Sequence, residues 1–237
     1  MGVRPESASS LQFADRAVYL ADTDTVVVAD LHFGRGDSSR VEAPIDATES
    51  IRRRVSTLLD RFDPTTIVFA GDLLHSFDRL PAVAVDAIEG LWDNCTDAGV
   101  DPVAVAGNHD SRLAECWPGT VDDTVTLADG TVVCHGHTLP EQRGHRYVVG
   151  HAHPAITIEG VKRPCYLFGE DAYRGGELVM LPAFTTLAGG VDLAGRRASD
   201  LPSPLISSLA EFQPVVWDDE RADALWFPPV SQLQSLL

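Results

Sequence analysis

Three short apolar, β-branched runs in the first half of this chain each break off into a polar motif of the same kind. Thr25–Ala29 leads into Asp30-Leu31-His32, Thr66–Ala70 into Gly71-Asp72, and Val103–Ala106 into Gly107-Asn108-His109-Asp110. Two stretches of helical periodicity lie between them. In the first, Asp46 to Phe62, the residues Ile51, Val55, Leu58, Leu59 and Phe62 share one face. There Asp46 is placed to cap the N-terminus, Glu49 sits at the capping-box position, and Arg52, Arg53 and Arg54 turn to solvent. Pro81 suits the first turn of the second helix, which runs to Asn94. Ala17–Leu20 adds a strand ahead of them. The order β-α-β-α-β implies a parallel core. In such open sheets ligands bind outside the carboxyl ends of the strands, which is where the three motifs fall. If the backbone stays extended there, Asp30 and His32 point the same way across Leu31.

After about residue 120 the texture changes. Short β-branched segments at 123–127, 131–134, 146–150, 155–159, 164–168 and 177–181 are punctuated by Gly and Pro. They predict a second, more antiparallel sheet packed on the first. Two of them end in His135-Gly136-His137 and Gly150-His151-Ala152-His153. No linker separates the halves, so residues 1–237 read as one domain. Its motif-bearing core spans about 15–195, and a Pro- and Ser-rich tail, 196–237, wraps the body.

Carboxylate, imidazole and amide donors without thiolate suit Mn²⁺, Fe or Zn²⁺. Asp30, His32, Asp72, Asn108, His135, His151 and His153 make seven such donors. That is too many for one catalytic ion with an open position. It suits two ions about 3.5–4 Å apart with a carboxylate between them.

The motifs DxH, GD, GNHD, HGH and GHxH, in this order, resemble the calcineurin-like metallophosphoesterase superfamily. Ala29–Arg35, Gly71–Ser76, Gly150–Pro154, and Leu181-Pro182-Ala183-Phe184 with Gly189-Gly190 resemble one branch of it. That branch comprises the DNA-ligase-associated metallophosphoesterases and their archaeal homologues. The second Asp often found in the superfamily's GDxxD motif is here His75. The resemblance implies an α/β (α+β) fold, the four-layer αββα sandwich of two mixed sheets flanked by helices. It implies that Asp30, His32 and His153 hold one metal, that Asn108, His135 and His151 hold the other, and that Asp72 bridges them. It also implies that His109 is a catalytic non-ligand histidine, oriented by Asp110, and that a hydroxide between the ions attacks phosphorus.

The activity this implies is hydrolysis of a phosphodiester in a nucleotide or a nucleic-acid end, with DNA-repair or ligase-associated proteins as implied partners. A phosphomonoesterase or nucleotide pyrophosphatase of the same fold, or a non-catalytic scaffold keeping the metal site, are the alternatives. Among residues near the motifs, His137, Arg35 and Arg112 are candidates for substrate phosphate, since guanidinium grips phosphate oxygens in pairs. For His137 a supporting role in the fold is the other reading, and His75 is likewise placed to support the site.

Charge qualifies this picture. There are 35 Asp and Glu against 18 Lys and Arg, a formal net charge of −17, and a single lysine, Lys162. A broad basic nucleic-acid footprint is excluded. An acid-rich, lysine-poor surface is instead expected to work in molar salt, where self-repulsion is screened. Cys95, Cys116, Cys134 and Cys165 form no CxxC pair and read as buried or incidental thiols. No run is long and apolar enough to span a membrane, so the chain reads as cytoplasmic. The Asn94-Cys95-Thr96 sequon reads as chance.

Overall fold

A computed structural model describes residues 2–35, 43–75, 79–193 and 196–233, with backbone alone at 43–46. The first sheet holds β1 (Leu11–Ala14), β2 (Ala17–Leu20), β3 (Thr25–Val28), β4 (Thr66–Ala70), β5 (Asp101–Val105) and β6 (Val121–Asp122) in that order. β1 to β3 are antiparallel, and β3 to β6 are parallel. The crossovers carry α1 (Ala43–Phe62) and α2 (Ala82–Asp97).

Period-two alternation sorts the side chains of this sheet cleanly. Val26, Val28, Ile67, Phe69 and Ala104 face one core, shared with Ile51, Val55, Leu58 and Leu59 of α1 and Ile88 and Leu91 of α2. Val27, Val68, Ala70 and Val105 face the other, shared with Val133, Val148 and Val179 of the second sheet. Both faces are covered, so the strands are apolar without a break. The Ser and Thr residues of α1 cost at most about 0.7 kcal/mol each in helix propensity. Burying each aliphatic side chain returns roughly 1.5–3 kcal/mol, so packing decides the element.

The second sheet runs β16 (Asp223–Trp226), β15 (Gln213–Asp218), β12 (Tyr166–Tyr173), β13 (Gly176–Met180), β9 (Arg146–Val149), β8 (Thr131–Cys134) and β7 (Thr124–Thr126). A small third sheet has β11 (Val161–Pro164), β10 (Pro154–Ile158) and β14 (Val191–Asp192). The outer face of the second sheet is covered mostly by non-helical chain. Leu193, Leu201, Leu205, Ile206, Leu209 and Phe212 pack there with Val230 of the short α3 (Val230–Leu233).

The second sheet is mixed and more antiparallel than the first, as expected, and its β13, β9 and β8 are parallel, so the loops after β8 and β9 emerge at the same end. Three sequence expectations are corrected. The tail does not merely wrap. β15 and β16 form a hairpin, β15 pairs with β12, and Trp226 enters the core between the sheets. α1 begins at Ala43, so Asp46 lies inside it and does not cap it. Finally, of the adjacent Arg52, Arg53 and Arg54 only Arg53 is exposed. Arg54 forks onto Asp15, donates to the Phe184 carbonyl and stacks 4.1 Å from the Phe184 ring. Arg52 packs on Gly90 of α2. In the seam between these helices Ser56 donates to Asn94 Oδ1, which gives the sequon residue a structural place.

Candidate metal centre

Asp30 and His32 follow β3, Asp72 follows β4, Asn108 and His109 follow β5, His135 follows β8, and His151 and His153 follow β9. All these strands present their carboxyl ends at one edge of the sandwich. There the loops ladder onto one another: Asp30 N–H donates to the Gly71 carbonyl, His32 N–H to Asp72, and Phe33 N–H to Leu73.

The side chains do not converge by strand alternation. Asp30, His32, Asp72, His151 and His153 all have left-handed backbones, with φ of 61°, 53°, 52°, 69° and 45°. Each such non-glycine residue costs roughly 1–2 kcal/mol, and the interlocking loops hold all five. The motif glycines allow close approach. A Cβ on Gly71 would overlap His135 Nδ1, on Gly107 it would meet Asp72 Oδ1, and on Gly150 it would lie 2.6 Å from Asp30 Oδ2.

Two ligand clusters result: Asp30, His32 and His153, and Asp72, His135 and His151. In the first, His153 Nε2 lies 3.1 Å from Asp30 Oδ1 and 3.5 Å from His32 Nε2. In the second, His135 Nε2 lies 3.2 Å from His151 Nδ1, 3.2 Å from Asn108 Oδ1 and 3.4 Å from Asp72 Oδ1. Asp72 faces both. Its Oδ1 is on the His135 side, and its Oδ2 is 3.9 Å from His32 Nε2 and 3.8 Å from His109 Nε2.

These residues fit divalent cations. His135 Nδ1–H donates to the Ala70 carbonyl, which leaves Nε2 for a ligand. Buried Asp30 Oδ1 has no hydrogen-bond partner. Burial lowers His32 and His151 to about 4, so both are neutral donors at pH 7. Burial acts the same way on His135, but Asp72 and Asp30 outweigh it and raise this imidazole to about 9. Burial acts to raise Asp72, yet its hydrogen bond to His135 and the charge there hold it below the usual carboxylate range. The centre therefore draws positive charge inward.

His109 Nδ1–H donates to the His75 carbonyl at 2.9 Å, which turns Nε2 toward Asp72. The His75 ring stacks on it, with centroids 5.8 Å apart. The expected contact from Asp110 is replaced. That carboxylate accepts N–H groups of Leu73, Leu74 and Gly107, tying the loop of Asp72 to the loop of His109. Burial, aided by Asp72, raises Asp110 to about 6 against these three donors.

The candidate substrate contacts divide. Arg35 lines a hollow with His32 and Thr185. His137 stands 5.2 Å from the His135 ring and faces a cavity of about 480 Å³ that Asp123 and Glu141 also line. Arg112 is corrected: its guanidinium forks onto Glu115 at 2.8 and 2.6 Å on the surface. Sequence reading missed the carbonyls that set the imidazoles, those of Ala70 and His75, because backbone acceptors carry no residue signature. It marked Leu181–Phe184, after β13, by resemblance but not the backbone contacts this segment makes. Phe184 N–H and Thr185 N–H donate to the carbonyls of Ala29 and Asp30, and the carbonyls of Ala183 and Thr185 are gripped by Arg16.

Fold and site together define a metal-dependent phosphoester hydrolase. The chain belongs to the calcineurin-like phosphoesterase family, whose sequence profile matches residues 24–194. Its structure is similar to the crystal structure of the nuclease MPE of Pseudomonas putida. That likeness has a TM-score of 0.60 and 22% identity, over 90% of this chain and 93% of that one. Yfce, a phosphoesterase from E. coli, aligns with a TM-score of 0.46 at 16% identity, over 86% and 98% of the two chains. No curated protein matches the chain.

Proposed function

We propose that this protein hydrolyses a phosphodiester in a nucleotide or nucleic-acid end, with two divalent cations, most simply Mn²⁺. Asp30, His32 and His153 would hold one cation, and Asn108, His135 and His151 the other. The observation that carries the reading is Asp72, whose two carboxylate oxygens face the two clusters separately. Such a cation pair, when bound, acidifies water near neutral pH and neutralises charge growing on phosphoryl oxygens.

The chain's own groups supply the rest. His109 holds a proton on Nδ1 against the His75 carbonyl, so its Nε2 is the atom that faces the reacting phosphate and serves the leaving oxygen. Asp110 positions that imidazole at one remove, by fixing the loop beside it. Arg35, in the hollow with His32, and His137, beside the His135 ring, would orient substrate oxygens. The branch resemblance of Leu181–Phe184 and Gly150–Pro154 supports a diester and nucleic-acid ends, beside DNA-repair or ligase-associated proteins. We place the activity in the cytoplasm, where three buried thiols would stay reduced.

The test is made in molar KCl. The protein is stripped with chelator, Mn²⁺ is restored, and hydrolysis of an aryl phosphodiester is compared with that of its monoester. Metal-dependent diester turnover is expected. Preference for the monoester would overturn the diester and keep the chemistry. Metal binding without turnover of either would favour a scaffold.

A further inference from the structure

Two adjoining hollows lead away from the metal centre. The first, of about 270 Å³, starts at His153 and is lined by Arg16, Lys162, Pro164 and Thr186. The second, of about 220 Å³, shares Arg16, Pro164 and Thr186 and adds Arg54, Arg163 and Trp217. Their common wall is the edge strand β11, which pairs with β10, and β10 begins one residue after His153. Consecutive residues of a strand face opposite sides, so Lys162 serves the first hollow and Arg163 the second.

The charge here runs against the rest of the molecule. Acids outnumber bases 35 to 18 overall, yet the only lysine of the chain stands in this groove with three arginines. Two carboxylates line it, Asp15 and Asp219, and Asp15 is engaged by Arg54. Among the described residues Lys162 donates to the Gly190 carbonyl alone. Among the described residues neither Lys162 nor Arg163 has a carboxylate partner. Arg16 donates through Nη1 to the carbonyls of Ala183 and Thr185, and its guanidinium lines both hollows.

Resting on the phosphodiesterase reading, we propose that this groove, through Arg16, Lys162 and Arg163, binds phosphates flanking the scissile bond of a polynucleotide strand. A row of cations beginning at a metal ligand fits a chain of phosphates better than one terminal phosphate.

The experiment measures binding apart from turnover. Fluorescence anisotropy of a labelled oligothymidylate of about a dozen nucleotides is followed in chelator, so that the strand stays intact, over a series of KCl concentrations. Wild type is compared with the double variant Lys162→Ala, Arg163→Ala and with Lys162→Arg, Arg163→Lys, and thermal unfolding checks the fold of each. The alanine variant is expected to bind at least roughly tenfold more weakly, since it loses two charge-assisted contacts. The slope of log affinity against log salt should fall by about 1.4, or 0.7 for each lost phosphate contact. The charge-conserving variant should restore both. Equal affinity and slope in all three proteins would overturn the groove, as would a wild type that binds the strand no better than inorganic phosphate. Failure of the diesterase reading would show separately, as absent turnover of the aryl diester.

Discussion

At the scale of single residues, the centre depends on groups that do not ligate as much as on those that do. His109 is the clearest. Its Nδ1 is committed to the His75 carbonyl, and its Nε2 reaches no closer than 3.8 Å to Asp72. His109→Ala should keep both metals, counted by metal analysis after gel filtration, and lose roughly 10²–10⁴-fold in kcat. Full activity in that variant would remove His109 from the reaction. Gly107 makes the opposite case. A Cβ there would overlap both Asp72 Oδ1 and the Asp72 backbone nitrogen. Gly107→Ala should therefore lower both metal content and kcat by displacing the Asp72 carboxylate. A fully loaded, fully active variant would show that Asp72 tolerates the shift.

At the scale of elements, the strand–helix alternation was legible because burial on both faces enforces apolar runs and helical stripes. The arginines of α1 were not legible. A guanidinium on a helix looks solvated until the chain shows Asp15 and the Phe184 carbonyl beside it, and those partners are far away in sequence. The C-terminal hairpin was hidden for a related reason: its strands are short, Pro214 interrupts one of them, and only pairing with β12 makes them strands. α2 also carries a pH signature. Cys95 faces the helix–sheet core, where burial pushes its thiol from 9.0 up to about 12. The unfolded chain ionises this thiol from about pH 9, whereas the native protein keeps it protonated until about pH 12. Stability is therefore whole below pH 9 and falls as pH rises between those values, by about 1.4 kcal/mol per unit. Urea unfolding should show a steeper alkaline loss in wild type than in Cys95→Ala by that amount. Parallel slopes would mean that Cys95 ionises equally well in the native state.

At the scale of the whole molecule, a net charge of −17 is a cost to compaction that salt removes. The Debye length shrinks from about 10 Å at 0.1 M to 3 Å at 1 M. The melting temperature should rise by several degrees across that range of KCl. A midpoint that stays level or falls would refute adaptation to high salt. The same imbalance makes the cationic groove on β11 stand out, since local charge can oppose the average.

The sequence by itself determined the kind of site this is. Asp, His, Asn and Gly at strand ends, in this order, dictate hard and borderline donors in number enough for two cations. It also determined the helix-covered parallel core, because burial patterns are local. Tertiary structure decided how those donors meet. Strand alternation would have aligned Asp30 with His32, but left-handed turns at five residues do it instead. Backbone dihedrals of that kind are imposed by loops that interlock from separate parts of the chain. Asp110, expected beside His109, was drawn to three backbone N–H groups, and Arg112, expected at phosphate, to Glu115. Hydrogen bonds and ion pairs go to the partner that folding brings within about 3 Å, and that partner has no fixed separation along the sequence.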